Sequence, residues 1–298
     1  MFVPRSTAAT RMVARVGQAL RMWVALALGS SLVWGTADFL GGFFTRRAPL
    51  GAVTVVSQAA GLCVLLVWLA VRGFALSGGS FAFGLLSGIG GAVGLAAFYK
   101  ALAVGTMSIV SPVTACGAVV PFALGLARGE RPSAWAIGGA ALALAGAVLA
   151  SAAEGRASSD RRRGAVLAVV AALAIGLFVY FLGVGGKHGD PFSALFGARI
   201  SSLTVLFLGS LALRAPVRPA RALSPGIAVV GVLDTSANAL YVFASRGGFL
   251  SVVGVLGSLY PVVTLLAAYV VLHERITRVQ KGGVVLALVG VCVVAGTS

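Results

Sequence analysis

Apolar runs of roughly twenty residues recur along the whole 298-residue chain, separated by short basic or glycine- and proline-containing breaks. A helix rising 1.5 Å per residue needs about twenty residues to cross about 30 Å of hydrocarbon, so each run is long enough to span a bilayer. Transmembrane strands would instead show segments of about ten alternating residues. Hydrophobic residues make up 59% of the chain and charged residues 10%, at a mean hydropathy of +1.03, which excludes a soluble globular domain. The reading is a polytopic all-α membrane protein in contact with the lipid bilayer.

Runs and breakers predict ten spans: 23–44, 50–71, 81–103, 106–127 and 134–152, then 164–186, 191–213, 224–245, 248–272 and 279–297. The second set repeats the first. An offset of 142 aligns Gly41 with Gly183, Pro49 with Pro191, Tyr99 with Tyr241 and Gly105 with Gly247. It becomes 140 at Pro121 and Pro261, and 144 at Glu130-Arg131 and Glu274-Arg275 and at Gly138-Gly139 and Gly282-Gly283. The first copy is therefore one helical turn shorter between its proline and its glutamate. Four segments follow: a basic N-terminal tail (1–21), a first five-helix repeat (22–152), a polar linker (153–163) and a second five-helix repeat (164–298). Because five is odd, the copies enter the membrane from opposite sides. Such inverted repeats can rock about a shared midplane site to give alternating access.

The formal net charge of +16 would suggest nucleic acid in a soluble protein. Here the basic residues lie in the tail and short loops, where they snorkel, meet headgroups and set topology, and no nucleic-acid partner is expected. The tail lacks the short apolar core and cleavage site of a signal peptide, so it reads as uncleaved, with Met12 or Met22 as alternative starts. With the N-terminus inside, inside segments hold nine basic residues against twelve outside, while Arg5, Arg11, Arg15 and Arg21 beside the first span favour that orientation. The expectation is N-in and C-in. Cys63, Cys116 and Cys292 fall inside spans and read as packing residues; two histidines make no metal cluster. No metal or cofactor is expected. The GVGGKHG stretch at 183–189 lacks the Ser or Thr and the preceding strand of a phosphate loop.

Asp38, Lys100, Arg199 and Asp234 lie within or close to the hydrocarbon region and sum to zero charge. Each costs roughly 2.5–3.5 kcal/mol at a helix centre on insertion scales, so each should face protein or water. They read either as interhelical ion pairs or as the lining of a polar path that carries substrate or a coupling proton; snorkelling is a third reading, best suited to Lys100. Asp234, Asn238 and Tyr241 form an i, i+4, i+7 stripe, and Trp34 with Asp38 an i, i+4 pair among glycines. Pro112, Pro121 and Pro261 interrupt spans four and nine, and the carbonyls they free need protein or water partners, as a cavity between those helices would supply. Gly84 with Gly88 and Gly90 with Gly94 read as close helix contacts.

The stretch Asp234, Asn238, Tyr241 followed by LSVVGVLGSLYPVVTLLAAYVVLHERITRVQKGGVVLALVGV resembles the drug/metabolite transporter superfamily in its ten-helix EamA-type branch. FYKALAVGTMSIVSPVTACGAVVPFALGLARGE resembles the matching first repeat, as does Trp34-Gly35, and the resemblance runs from Trp23 nearly to the end. It implies an inner- or plasma-membrane carrier with a central cavity, usually an exporter of small metabolites, amino acids or drugs, without a cofactor. It also implies that Tyr260-Pro261 and Pro121 border that cavity and that Glu130 and Glu274 anchor helix-connecting turns. The chain departs at Asp38, a place often neutral in such proteins. Relatives that move lipid-linked sugars, nucleotide sugars or sugar phosphates leave flippase and exchanger readings open.

The function expected is a secondary transporter of a small organic solute, coupled to protons or running by exchange. Its candidate site is Trp34, Asp38, Lys100, Arg199, Asp234, Asn238, Tyr241 and Tyr260. Rival classes are a non-transporting scaffold or receptor and a lipid-modifying enzyme; the loop acids form no cluster in sequence that would serve the latter. A monomer is expected, with a dimer as the alternative.

Overall fold

The computed structural model describes residues 7–104, 113–114, 116–151, 161–272 and 276–296. Its helices are α1 (Thr7–Thr45), α2 (Leu50–Arg72), α3 (Gly78–Val104), α4 (Val119–Ala127), α5 (Ala134–Ser151), α6 (Arg161–Lys187), α7 (Pro191–Ala212), α8 (Ser224–Gly247), α9 (Leu250–Gly257), α10 (Tyr260–Leu272) and α11 (Arg278–Gly296). A 3-10 turn at Cys116–Ala118 leads into α4, and α9 and α10 together make one span broken at Ser258-Leu259. Among the described residues all regular structure is helical, and with α9 and α10 counted as one span the helices make two five-helix repeats. Among the described residues seven helices are long and apolar enough to cross a membrane, alongside shorter apolar helices at Cys116–Ala127 and Ala134–Ala150.

The basic segment read as a tail is helical from Thr7 and continuous with the first span. Residues 7–22, TAATRMVARVGQALRM, are rich in Ala and Arg and hold no Pro, with Gly17 the one residue at the low end of helix propensity. Nothing there stops a helix.

The pseudo-symmetry is visible in what packs on what. Helix α3 lies on α6 and α7 of the other repeat, while its counterpart α8 lies on α1 and α2; α4 meets α9, and α5 meets α11. Glycine sets these approaches. A Cβ at Gly84 or Gly88 would sit 2.1 or 2.0 Å from the carbonyl oxygens of Ala194 or Ala198 on α7, and one at Gly231 of α8 would overlap the Ser57 carbonyl on α2. Gly90 and Gly94 turn the adjacent face of α3 to Ala174 and Ile175 on α6. Both glycine pairs read as contacts therefore serve one helix on two sides.

At the α5–α11 crossing, Gly139 meets the Gly290 backbone and Gly283 meets that of Gly146. Under the 144-residue offset each contact is the image of the other. Gly35 on α1 abuts Tyr260 and Val263 of α10, as Gly176 on α6 abuts Gly117 and Val120. Without a hydrophobic drive between helices in lipid, such backbone-to-backbone approaches supply the dispersion contact that holds the bundle together.

Candidate functional site

Where the two repeats cross, a cavity of about 550 Å³ is lined by residues of both. Its wall runs along α1 through Trp34, Asp38 and Gly42 and on to Arg46, just past the helix end. Twelve residues at 1.5 Å each give about 18 Å, from mid-membrane to the face where α1 ends. Ala150 at the end of α5 and Gln280 near the start of α11 line the same mouth. The cavity thus opens on the face opposite the one where the first span begins.

Its polar floor is a network that joins the repeats. Arg199 on α7 is 5% exposed and its Nη1 lies 2.8 Å from Asp234 Oδ2 on α8. The same nitrogen donates to Gln58 Oε1 on α2, which also accepts from Ser202 Oγ at 2.8 Å. Room for the guanidinium comes from Gly61, whose Cβ, if present, would stand 3.2 Å from Arg199 Cζ and overlap Thr235 Oγ1. Asn238 Nδ2 donates to the Asp234 carbonyl at 2.7 Å and reaches its Oδ2 at 3.3 Å. A buried charge is tolerable only when paired and hydrogen-bonded, and Arg199 meets both conditions.

Asp38 is different. It is exposed to the cavity, and among the described residues its carboxylate has no ion-pair or hydrogen-bond partner. Tyr260, Pro261 and Thr264 face it from α10, which is held to α1 by Thr264 Oγ1 donating to the Gly35 carbonyl at 3.1 Å. Trp34, 6% exposed, packs on Tyr241 and Phe178 with ring centroids 5.5 and 6.1 Å away. Tyr241 is fully buried below the cavity, and its hydroxyl and Asn238 Oδ1 have no hydrogen-bond partner among the described residues.

Of the eight candidate residues the structure gathers Trp34, Asp38, Arg199, Asp234, Asn238 and Tyr260 into the cavity wall and sets Tyr241 beneath it. Lys100 is exposed and does not line the cavity. Pro261 lines it, directly after the break that separates α9 from α10. Pro121 is instead buried near the start of α4, where an alanine Cβ at Gly254 would meet its ring at 2.7 Å. Pro112, Glu274 and Arg275 lie outside the described residues. Gln58 was missed, although a lone amide midway along an apolar span is the same signal that singled out Asn238.

Below the aromatic layer the other face is closed by ionic contacts. Gly129, at φ 86, ends α4 in a left-handed turn that presents Glu130, whose Oε1 and Oε2 accept from the backbone N–H groups of Leu250 at 2.7 Å and Ser251 at 2.8 Å. Glu130 thereby caps α9 across 120 residues of sequence, with Lys187 Nζ 3.4 Å away. Arg72 pairs with Asp190 at 2.7 Å, and Asp190 caps α7 through Ser193 N–H at 3.0 Å. Replacing Glu130 by glutamine is expected to lower stability by about 1–2 kcal/mol, because two cap bonds lose their charge. Lys187→Met should cost under about 0.5 kcal/mol, since its side chain is a third exposed. Chemical unfolding in micelles compares the two; equal losses would mean that the cap is not what Glu130 supplies.

A family model described as the EamA-like transporter family matches residues 21–152 and 162–296, one copy in each half. Among 28 matching solved chains, one crystal structure superposes with a TM-score of 0.74 over 91% of this chain and 96% of its own, at 18% sequence identity. At that identity the likeness shows the fold alone. No curated protein matches the chain significantly.

Proposed function

The chain belongs to the EamA-like transporter family, and from that premise we propose that it is a secondary transporter which exports a small organic solute by alternating access. The observation that carries this reading is the asymmetry of the cavity. It sits at the crossing of two inverted repeats, open on one face through Arg46 and Gln280 and closed on the other by Trp34-Tyr241 and the Glu130 and Arg72 contacts. Because the repeats are related by a pseudo-twofold axis, exchanging their conformations would close the open face and open the closed one. In the plasma or inner membrane, with both termini cytoplasmic, the state described is the outward-open one.

In this reading Arg199, Asp234 and Gln58 tie α2, α7 and α8 together, so that α1 and α10 are the walls that move. Asp38, on the moving wall, meets the substrate or a coupling proton. Substrate-driven counterflow in proteoliposomes tests the proposal: preloaded unlabelled solute should accelerate uptake of its labelled form. Asp38→Asn should reduce that uptake at least about tenfold while the purified protein stays folded, and Lys100→Met should leave it within about twofold. Full counterflow with Asp38, Arg199 and Asp234 all neutralised would remove these charges from the mechanism.

A further inference from the structure

We propose that the cavity selects an amine-bearing organic cation, held by the Asp38 carboxylate against aromatic rings. The proposal rests on the transport reading above and names the substrate class of the same site.

Charge balance comes first. Among the described residues four charged side chains line the cavity: Asp38, Asp234, Arg199 and Arg46. Arg199 and Asp234 neutralise one another at 2.8 Å and are further satisfied by Gln58 and Asn238. Arg46 stands at the mouth, just past the end of α1 and about 12 Å from Asp38 along the helix direction. At depth the one charge left without a partner among the described residues is therefore the Asp38 carboxylate. An anionic solute would meet that carboxylate and find the deep guanidinium already engaged. A cationic solute completes the balance.

The walls point the same way. Trp34, Phe39, Phe43, Phe98, Phe178 and Tyr260 line the cavity. Aromatic faces attract cations through their quadrupoles, most strongly where water is scarce. Trp34 and Asp38 share one stripe of α1, and the Gly35–Tyr260 approach brings the Tyr260 wall up to that stripe. A volume of about 550 Å³ suits a solute of small-drug or metabolite size.

Four probes on one skeleton test this: 2-phenylethylamine, phenylalanine, 3-phenylpropionate and 2-phenylethanol. Each is titrated against detergent-purified protein, with binding read as a rise in unfolding temperature. The amine is expected to bind at least about tenfold more tightly than the zwitterion, the anion or the alcohol. Asp38→Asn should erase that preference and Asp38→Glu keep it. The wild-type series carries the test even if Asp38→Asn does not fold. Equal or tighter binding of any other probe, an unchanged amine affinity in Asp38→Asn, or silence from all four would overturn the proposal. Counterflow of the same probes separates it from the transport reading. An amine that binds but is not exchanged would sink transport and leave the site, whereas exchange of the anion without amine binding would do the reverse.

Discussion

Replacing Arg199 by methionine is expected to destabilise the protein by about 3 kcal/mol, and adding Asp234→Asn to recover part of that loss. Removing one member of a buried ion pair costs about 3–5 kcal/mol, because the remaining charge is left without compensation. The lower end applies here, since the Asp234 side chain is 29% exposed and can draw on cavity water. Arg199→Met also strands Gln58 Oε1, which then keeps only the Ser202 hydroxyl. The double variant leaves a neutral amide beside Asn238, so the two losses should be strongly non-additive. A double-mutant cycle by chemical unfolding in micelles measures the coupling. Additive losses would show that the pair does not act as a unit.

The second large effect separates neighbouring glycines. Gly283→Leu is expected to abolish folded protein, while Gly282→Leu should change stability by no more than about 0.5 kcal/mol. A Cβ at Gly283 would lie 2.3 Å from the Ala150 nitrogen and 2.8 Å from the Gly146 oxygen, all backbone, whereas one at Gly282 meets nothing within 4 Å. Backbone cannot rotate away as a side chain can, so leucine at 283 must push α11 off α5. Pseudo-symmetry extends the expectation to the first repeat, where Gly139 meets backbone and Gly138 is open. Monodispersity on size-exclusion chromatography reads the outcome. Equal tolerance at 282 and 283 would contradict the helix rotation.

These glycines show how far the sequence carries. The 144-residue offset identifies both Gly-Gly pairs as repeat-stable letters. It does not say which member faces the partner, because adjacent helical residues point about 100° apart and an apolar helix in lipid has no polar face to fix its rotation. The ten spans and their inversion were legible for the opposite reason: span length is set by bilayer thickness, which is the same for every helix, so the runs can be counted and an odd number per repeat inverts the second copy.

The site was legible where a polar side chain interrupts an apolar run. That rule found Asp38, Arg199, Asp234 and Asn238, and applied evenly it would have found Gln58. Partnership was not legible. Arg199 reaches Gln58 across 141 positions and Glu130 reaches Leu250 across 120, distances fixed by the exchange of contacts between repeats. Lys100 satisfies the same rule yet lies outside the cavity, since a lysine near a helix end can reach the interface along its own stem.

The most direct test of alternating access is two-sided thiol accessibility in sealed proteoliposomes, on a background in which Cys63, Cys116 and Cys292 are alanine. A cysteine at Ser202, on the cavity wall, should react with a membrane-impermeant reagent from the face opposite the start of the first span. One at Ser251, buried beneath Glu130, should be protected. Adding Glu130→Gln with Arg72→Ala removes the ionic closure, and should raise labelling at 251 from the face where the first span begins while lowering it at 202 from the other. Reciprocal change is the result predicted. Simultaneous access from both faces, or a cavity that stays open on one face whatever is done to the closure, would contradict it.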